Sequence, residues 1–365
     1  MSITFCWTDI SGYMAACWRE MAKTKGISLF VLAFGSSTET EFDTQLMEGI
    51  PHRLLDKSER EDGATIAKIV ADTKPDYVVL AGWFHTPYRQ LLNQLDSDYI
   101  KFILAMDTPY WGKWKQKLAP IVLRGFLKKI NKVVVSGERS WQYARRLGFA
   151  HQDILKGQYA IDYPFFSSMK AGRDKNNWPR NFLFVGRYSE VKAVDILVAA
   201  YQQYRQHFPD TAWTLTCCGK GPLEHLLADQ SGIINRGFVQ PAALPEIFIN
   251  SGVFIMPSRF DPWPLSIIEA CAAGLPVICT SVCGTSVELV KSWHNGWTIA
   301  EDNITALTHS MILAHQHHEA LAIMGQRSGT QAAAYTPPLW VLRWQHFLAD
   351  KQTIPIRSGL STSTP

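Results

Sequence analysis

The stretch MPSRFDPWPLSIIEACAAGLPVICT, residues 256–280, predicts a strand end, a proline-rich loop, a helix and a second strand. The helix is expected over Leu265–Ala273, and a Gly-Leu-Pro turn ends it. Two acids, Asp261 in the loop and Glu269 in the helix, lie eight positions apart. An acid on an apolar helix face is costly to bury unless a polar group meets it, so Glu269 is a candidate ligand contact.

The composition predicts a soluble globular protein with about two domains. The chain has 365 residues, of which 47% are hydrophobic and 19% are charged. Its net charge of +4 is too small to indicate a nucleic-acid partner. The seven cysteines show no metal-binding or disulfide spacing, which is typical of a cytosolic protein. We recognise no signal peptide and no run of the roughly 18 apolar residues that a membrane span needs.

Short apolar runs alternate with amphipathic segments in the first half of the chain. The runs predict strands at Ile3–Trp7, Leu29–Phe34, Tyr77–Ala81, Phe102–Ala105 and Lys132–Val135. The segments between them predict helices at Tyr13–Lys23, Gly63–Thr73 and Ser140–Leu147. Strands that alternate with helices indicate a parallel sheet covered on both faces.

The same alternation restarts in the second half. Strands are expected at Asn181–Val185, Trp213–Cys217, Val253–Met256 and Val277–Thr280, with a long helix at Val194–His207. The sequence therefore predicts an α/β protein with two Rossmann-like domains that face a central cleft. In such folds, ligands bind where the carboxyl ends of the strands meet the cleft.

The predicted domains span 1–165 and 181–336, and the polar segment 166–180 is expected to link them. Pro337 and Pro338 are expected to stop the second domain. A last helix within 337–350 is expected to cross back to the first domain, and the tail 351–365 is expected to be disordered.

The segment FLFVGRYSEVKAVDIL places two cations after a predicted strand. Gly186 allows a tight turn, and Arg187 and Lys192 follow it before a helix begins. Cations near a helix N-terminus suit a diphosphate. An ordinary charged surface loop is an equally good interpretation of this segment taken alone.

Two further loops in the second half are candidates for the same cleft. Gly219 and Gly221 flank a lysine, and such a loop lets backbone amides approach a phosphate or a sugar. A second loop contains Gly237, Phe238 and Val239, which end a short predicted strand and could place backbone groups beside a flat base. A simple tight turn explains each loop equally well or better by itself.

The N-terminus of the helix that carries Glu269 is the fourth candidate element. Its unpaired amides and its dipole attract phosphate. Pro264 has no N–H group, so Leu265 and Ser266 are the better amide donors. Glu269 lies one turn inside the helix, where its carboxylate could accept hydrogen bonds from two hydroxyls, and Asp261 could meet a sugar hydroxyl.

The order of these motifs resembles that of the retaining GT-B glycosyltransferases of family 4. The matching elements are G-R-x4-K, GxGP, GFV and PSRFD-x7-E followed by AAGLPV, and they cover nearly all of residues 181–300. The family usually has Glu where this chain has Asp261, and a glycine where it has Pro264. The resemblance implies a nucleotide-sugar donor and transfer of its sugar to an acceptor hydroxyl.

The resemblance also implies roles for individual residues on the donor side. Arg187 and Lys192 would bind the donor diphosphate, together with the amides near Leu265. Glu269 would hold the donor ribose, and Asp261 would contact the transferred sugar. Leaving-group stabilisation by Arg187 and Lys192 would then be the main electrostatic contribution to catalysis.

The first half resembles the family more weakly. Gly12, in the loop after the first strand, would let the acceptor and the donor phosphate approach. A polar residue at the end of a later strand, often His in the family, would meet the donor sugar. Asp107 and His85 are both candidates for that position, and a core or capping role is as good an interpretation of either.

The resemblance implies retention of configuration, with the leaving phosphate taking the acceptor proton. No metal cofactor is implied. Asp96-Ser97-Asp98 spells a DxD pattern, but it lies in a short connection of the first half, remote from the phosphate motifs, and we interpret it as a turn.

Residues 113–146 contain ten Lys or Arg and one acid. In one predicted amphipathic helix, Lys113, Lys117, Arg124 and Lys128 share a face, and Leu118, Ile121, Val122 and Phe126 share another. Such a helix suits an anionic membrane surface or a lipid-linked acceptor, although a solvated helix face is the more common explanation of a charge run. The predicted location is cytoplasmic, with peripheral membrane attachment as an open question.

Two other functions remain open at this point. A GT-B sugar-nucleotide epimerase would share the cleft, but it would lack the acid spacing of family 4. A catalytically inactive nucleotide-sugar-binding subunit is the other alternative, and Arg187, Lys192 and Glu269 argue against it. The acceptor is expected to be a glycan or a glycolipid of surface polysaccharide or glycoconjugate synthesis.

Overall fold

The computed structural model describes residues 1–35, 44–96, 98–174, 176–240 and 243–349. Two α/β units follow each other along the chain, and each contains a parallel sheet with helices on both faces. The predicted tail 351–365 lies outside the described residues.

The first sheet has the strand order β3-β2-β1-β4-β5-β6-β7. Its strands are β1 Ser2–Trp7, β2 Ser28–Phe34, β3 His52–Leu55, β4 Tyr77–Ala81, β5 Lys101–Met106, β6 Lys132–Val135 and β7 Ile154–Lys156. All neighbouring strands pair in parallel. The central strands are continuous apolar runs because helices cover both faces of the sheet.

The second sheet has the order β10-β9-β8-β11-β12-β13. Its strands are β8 Asn181–Val185, β9 Thr214–Cys218, β10 Ile233–Asn235, β11 Val253–Met256, β12 Val277–Thr280 and β13 Gly296–Ile299. These strands are also parallel, so the loops after β8, β9, β11 and β12 leave the sheet at one edge. The chain reverses its direction of strand addition between β8 and β11, which is where ligands bind in open sheets of this kind.

Helices connect the strands of both sheets. In the first unit they are α1 Gly12–Lys23, α2 Gly63–Asp72, α3 Thr86–Gln94, α4 Trp114–Val122, α5 Arg124–Leu127, α6 Glu138–Arg146 and α7 Tyr163–Ser168. In the second unit they are α8 Val194–His207, α9 Leu244–Ile249, α10 Leu265–Ala272, α11 Ser286–Leu289, α12 Ile304–Gln316 and α13 Leu321–Ala332. The last helix is α14 Pro337–Leu348.

The predicted linker 166–180 is packed against the second unit. Its Arg173 side chain is buried and donates hydrogen bonds to the carbonyl oxygens of Ala273 at 2.8 Å and Phe248 at 2.6 Å. The indole of Trp178 donates to the Gly252 carbonyl oxygen at 2.9 Å. The polar composition of this segment predicts an exposed connection. In the structure, the Arg173 guanidinium is instead buried, where it donates hydrogen bonds to carbonyl groups that would otherwise lack a donor.

Helix α14 returns to the first unit. Trp340 and Trp344 are buried and their rings lie 6.3 and 5.4 Å from the ring of Phe5 in the first sheet. Pro337 and Pro338, which are expected to end the second domain, form the first turn of α14. Proline is tolerated there because the first turn of a helix has no acceptor for its N–H groups. Thr336 caps the helix.

The single basic helix expected after Lys113 is wrong, because the structure has two helices, α4 and α5, separated at Leu123. Of the four residues on the predicted apolar face, Phe126 is buried, and Leu118, Ile121 and Val122 are exposed to solvent. Within the described residues, none of the helices combines the length and the apolar character that crossing a membrane requires.

Candidate functional site

The loops after β8, β9 and β11 are hydrogen-bonded to one another. The N–H of Gly186 donates to the Cys218 carbonyl oxygen at 3.0 Å, and that of Tyr188 donates to the Lys220 carbonyl oxygen at 2.9 Å. The N–H of Arg259 donates to the Val191 carbonyl oxygen at 2.9 Å. The motifs that the sequence separates by some seventy positions therefore form one wall at the carboxyl edge of the second sheet.

Lys192 and Asp261, two of the predicted site residues, form an ion pair. The side chain of Lys192 is 19% exposed and that of Asp261 is 8% exposed, so both groups are largely shielded from water. The backbone of Asp261 is fixed by a bridge to Cys283 and by a hydrogen bond of 2.9 Å from the N–H of Gly284. The Asp261 carboxylate thus holds the lysine ammonium at the edge of the sheet.

Arg187 lies on the same loop as Lys192 and is exposed. The loop ends at Ala193, whose backbone adopts the left-handed conformation with φ of 56° immediately before α8. The hydrogen bond from the N–H of Arg259 to the Val191 carbonyl oxygen joins this loop to the loop after β11. The two predicted cations therefore occupy one short loop on the cleft side of the sheet.

Arg259 is a residue that the sequence reasoning missed. Its guanidinium binds the Asp195 carboxylate with two hydrogen bonds of 2.9 and 2.6 Å. It also donates to Asp302 at 2.5 Å and to the Glu190 carbonyl oxygen at 2.7 Å. Arg259 lies two positions before Asp261 and therefore connects the loop of Lys192 to the loop of Asp261. Its place in the motif PSRFD was the feature of the sequence that could have identified it.

The two glycines of the GxG loop serve close packing of loops. A Cβ atom on Gly219 would lie 1.9 Å from the Gly186 carbonyl oxygen, and one on Gly221 would lie 2.3 Å from the Tyr188 carbonyl oxygen. The N–H of Gly219 already donates to the Gly237 carbonyl oxygen at 2.8 Å. The Gly219 amide is therefore already paired and is not available to a phosphate, contrary to the expectation from the sequence. The loop that contains it packs against the turn at Gly186 and holds that turn in place.

Phe238 and Val239 lie beyond this loop. The ring of Phe238 is 48% exposed, and Val239 is partly buried against the core. This exposed aromatic ring is available to a flat ligand. The contact of this loop with a base stays a prediction.

Helix α10 begins at Leu265, with Pro264 as its N-cap. Pro264 offers no side-chain cap, and the backbone amides of Leu265 and Ser266 find no acceptor among the described residues. Glu269 lies one turn inside. Burial raises the pKa of its carboxyl from 4.5 to about 7, and within the described ranges no donor is hydrogen-bonded to it.

The first unit supplies the opposite wall. Asp107 follows β5 and receives a hydrogen bond from the buried hydroxyl of Tyr159. Burial raises the pKa of Asp107, and the Asp261 carboxylate contributes in the same direction. Asp107 therefore faces Asp261 closely enough for the two charges to interact.

Gly12 begins α1, next to Tyr13, whose pKa is raised by burial and by the nearby charge of Asp107. Its neighbour Tyr13 packs edge-on against Tyr159, with ring centroids 5.4 Å apart. A Cβ atom on Gly12 would meet no protein atom within 4 Å, so the space in front of it is open. The protein itself does not require a glycine at this position.

His85 has the capping role that one of the two interpretations predicted. Its Nδ1 accepts the N–H of Tyr88 at 3.4 Å at the start of α3. The ring packs against Phe34 and Tyr88, and burial lowers its pKa. Asp107, rather than His85, faces the acids and cations of the second unit.

A contact between the two units was also missed. The N–H of Glu138 donates to the Glu288 carboxylate at 2.6 Å, and Arg139 donates to the Ser281 carbonyl oxygen at 2.5 Å. Trp263 fits against Gly137, where a Cβ atom would lie 2.1 Å from the indole ring. The segment that contains Asp261 is therefore packed directly against the first unit.

The DxD pattern lies away from this cleft. The N–H of Asp98 donates to the Asp96 carboxylate at 3.0 Å, in the connection that leads into the amino end of β5. Ser97, the middle residue of the predicted turn, lies outside the described residues. Over the described ranges, the structure contains no cluster of three or more His, Cys, Asp or Glu side chains that could hold a metal ion.

Comparison with known proteins bears on the second unit above all. Residues 179–317 match the family model described as Glycosyl transferases group 1. Glycogen synthase of Mycobacterium tuberculosis is 28% identical over 161 residues, which are 42% of this chain and 37% of that protein. D-inositol 3-phosphate glycosyltransferase of Pseudarthrobacter chlorophenolicus is 34% identical over 130 residues, or 32% of this chain and 30% of that protein. The chain thus spans about a third of the length of these curated relatives.

The solved structures extend the likeness to the whole fold. Anabaena Alr3699/HepE in complex with UDP has a TM-score of 0.73 and 15% sequence identity, and the match covers 95% of this chain and 99% of that one. The predicted fold class is confirmed: the protein has two Rossmann-like α/β domains in the GT-B arrangement.

Proposed function

We propose that the protein is a retaining glycosyltransferase, which moves a sugar from a nucleotide-sugar donor to a hydroxyl of a glycan or lipid-linked acceptor. The observation that carries the proposal is the wall formed by Arg187, the Lys192–Asp261 ion pair and the N-terminus of α10. It combines cations, unpaired amides and the acid Glu269 at one edge of a parallel sheet. The match of residues 179–317 to Glycosyl transferases group 1 supports it.

The donor would bind along the second domain. Arg187, Lys192 and the amides of Leu265 and Ser266 would bind its diphosphate, since all four are donors. Glu269 would accept hydrogen bonds from the ribose hydroxyls. HepE, the structural neighbour, was crystallised with UDP and with UDP-glucose, which supports a nucleotide-sugar donor here.

The remaining donor contacts follow from the loops. The exposed ring of Phe238 and the neighbouring Val239 would face the base. Gly186, Gly219 and Gly221 would shape the turn that presents Arg187. Pro264 contributes no N–H group, so the first phosphate contact of α10 would come from Leu265.

In the reaction, the bond between the anomeric carbon and the donor phosphate oxygen breaks, and a bond from that carbon to the acceptor oxygen forms on the same face. The departing diphosphate takes the acceptor proton. Negative charge grows on the diphosphate, and Arg187 and Lys192 would stabilise it, because fixed cations lower the barrier when charge develops beside them. This chemistry would need no metal cofactor.

Asp261 would act in two ways. It holds the Lys192 ammonium in place, and it would contact the transferred sugar. Asp107 would approach the same sugar from the first domain, and Gly12 would leave room for the acceptor. The proposed setting is surface polysaccharide or glycoconjugate synthesis in the cytoplasm.

A thermal-shift screen of nucleotides and nucleotide sugars tests the donor site first. A donor should raise the melting temperature by mass action, and the absence of any shift would contradict the proposal. Arg187→Ala and Lys192→Ala should each slow sugar transfer by about 30-fold or more, equivalent to about 2 kcal/mol. Lys291→Ala removes an exposed cation of the same domain and is the matched control.

Product analysis separates the alternatives. An epimerase would convert the donor in the absence of acceptor, and an inactive binding subunit would bind the donor without transfer or hydrolysis. Transfer that continues in the presence of a chelator would support a metal-independent reaction. The anomeric configuration of the product, measured by nuclear magnetic resonance, tests retention.

A further inference from the structure

Helix α4 carries its apolar stripe on the outside of the protein. Trp114, Leu118, Ile121 and Val122 have the spacing i, i+4, i+7 and i+8, which places them on one helix face. They are 67%, 45%, 73% and 75% exposed. A surface helix normally buries such a stripe, whereas the residue of α4 that is buried is Ala119.

Cations border this stripe. Lys115 and Lys117 project on either side of it, since they lie about 100° and 300° around the helix from Trp114. Arg124, Lys128 and Lys129 continue the basic surface past the end of α4. The sequence has no Asp or Glu between Asp107 and Glu138, so no acid of this segment neutralises these charges.

A cavity beside α5 adds to the positive surface. It lies between α3 and α5, has a volume of about 320 Å³ and is lined by Arg89 and Lys129, among others. The ammonium of Lys129 donates to the Leu92 carbonyl oxygen at 3.4 Å and is thereby held at the cavity. Helix α3 also contains no acid.

We propose that α4 and α5 dock on an anionic lipid bilayer. The apolar stripe would enter the boundary between headgroups and acyl chains, and the flanking lysines would lie at the level of the lipid phosphates. A soluble polyanion would use the cations and leave the apolar stripe in water. The bilayer uses both, because its surface offers negative charge and its boundary layer accepts apolar side chains.

The position of this surface deepens the proposed function, on which the following step rests. Trp111, three positions before the start of α4, packs on Phe260, the neighbour of Asp261, with ring centroids 6.0 Å apart, so the start of the docking surface adjoins the cleft. A protein bound through α4 would therefore present the cleft to the membrane. The acceptor class that fits this placement is a sugar carried by a membrane lipid.

Vesicle flotation of the full chain tests the docking. The protein should float with vesicles of mixed phosphatidylglycerol and phosphatidylcholine, and much less with phosphatidylcholine alone. Lys115→Gln with Lys117→Gln should weaken partitioning about 25-fold, because each cation near an anionic surface contributes about 1 kcal/mol, or about five-fold. Lys23→Gln with Lys25→Gln removes the same charge from an exposed site elsewhere and should have little effect.

The apolar stripe has its own test. Ile121→Ser with Val122→Ser should reduce flotation by about ten-fold or more, since two exposed aliphatic side chains would no longer enter the bilayer. The matched control is Leu339→Ser with Leu342→Ser, which changes two exposed leucines of α14. Unchanged melting temperatures would show that all four double variants fold.

Two outcomes would overturn the proposal. One is flotation that is the same for the α4 variants and for their controls. The other is a dimer in sedimentation analysis that Ile121→Ser with Val122→Ser dissociates, because a second copy of the chain would then cover the stripe. Donor binding, measured in solution without lipid, distinguishes failure of the docking from failure of the proposed catalytic function.

Discussion

Lys192 and Asp261 form a shielded ion pair that joins the loop after β8 to the loop after β11. The two residues were predicted as separate contacts, the lysine to phosphate and the acid to sugar. Their pairing makes the position of each depend on the other. A change at either residue will therefore alter both the phosphate side and the sugar side of the cleft.

Lys192→Met should lower both stability and activity. The Asp261 carboxylate, 8% exposed, would lose its cation, and we expect the free energy of unfolding to fall by about 1–3 kcal/mol. Chemical denaturation and sugar-transfer kinetics measure the two effects. In the double variant with Asp261→Asn, stability should recover in part while activity stays low. Strictly additive losses of stability would argue against coupling.

Arg259→Gln should disturb the cleft through the loops that it joins. The hydrogen bonds to Asp195, Asp302 and the Glu190 carbonyl oxygen would weaken, at a cost of about 1–2 kcal/mol because the network is partly exposed. Donor affinity should fall with it. Arg53→Gln breaks an exposed ion pair with Glu59 and serves as control, with a stability change below about 1 kcal/mol. If Arg259→Gln and Arg53→Gln change donor affinity equally, Arg259 does not position the two loops of the cleft.

Gly12→Ala tests whether glycine at this position is required for sugar transfer or for folding. The added methyl group would meet no protein atom within 4 Å, and alanine favours a helix, so the melting temperature should stay the same or rise. Sugar transfer should nevertheless fall if the acceptor and the donor phosphate approach this backbone. Gly125→Ala, in α5, has equally open surroundings and should leave donor binding, measured without lipid, unchanged. Full activity of Gly12→Ala would remove the residue from the proposed acceptor site.

The Glu269 carboxyl should make stability depend on pH. Its pKa is about 7 in the folded protein, against an ordinary value of 4.5, so the folded state holds a proton that the unfolded state releases between these values. The free energy of unfolding should therefore fall as the pH rises from about 4.5 to 7, by about 1–3 kcal/mol.

Glu269→Gln is the control for this pH dependence. Its amide does not titrate, so the corresponding slope between these pH values should disappear. Denaturation at a series of pH values measures both proteins. An identical slope in the variant would assign the effect to other groups.

The core strands were predictable because burial on both faces turns each into a continuous apolar run. Tyr77–Ala81, Asn181–Val185 and Val253–Met256 have the bounds expected from the sequence. The missed strands, such as β3 and β10, are short and lie at sheet edges, where exposed residues interrupt the apolar pattern. Their formation depends on a neighbouring strand rather than on their own composition.

In the candidate site, sequence order indicated which loops would meet, but not which side chains would pair. The contacts of Lys192 with Asp261 and of Arg259 with Asp195 join residues more than sixty positions apart. For helix α4, the periodicity of the sequence correctly predicts an apolar face. It cannot show whether other parts of the protein cover that face, and in the structure the face is exposed.

The packing of α14 on the first sheet has a consequence for folding during synthesis. Trp340 and Trp344 complete the core around Phe5, yet the ribosome adds them only after the entire second domain. The amino-terminal domain therefore keeps part of its apolar surface open to water until α14 has been synthesised. Because domains generally fold in the order of synthesis, the first domain can bind chaperones or aggregate during that interval.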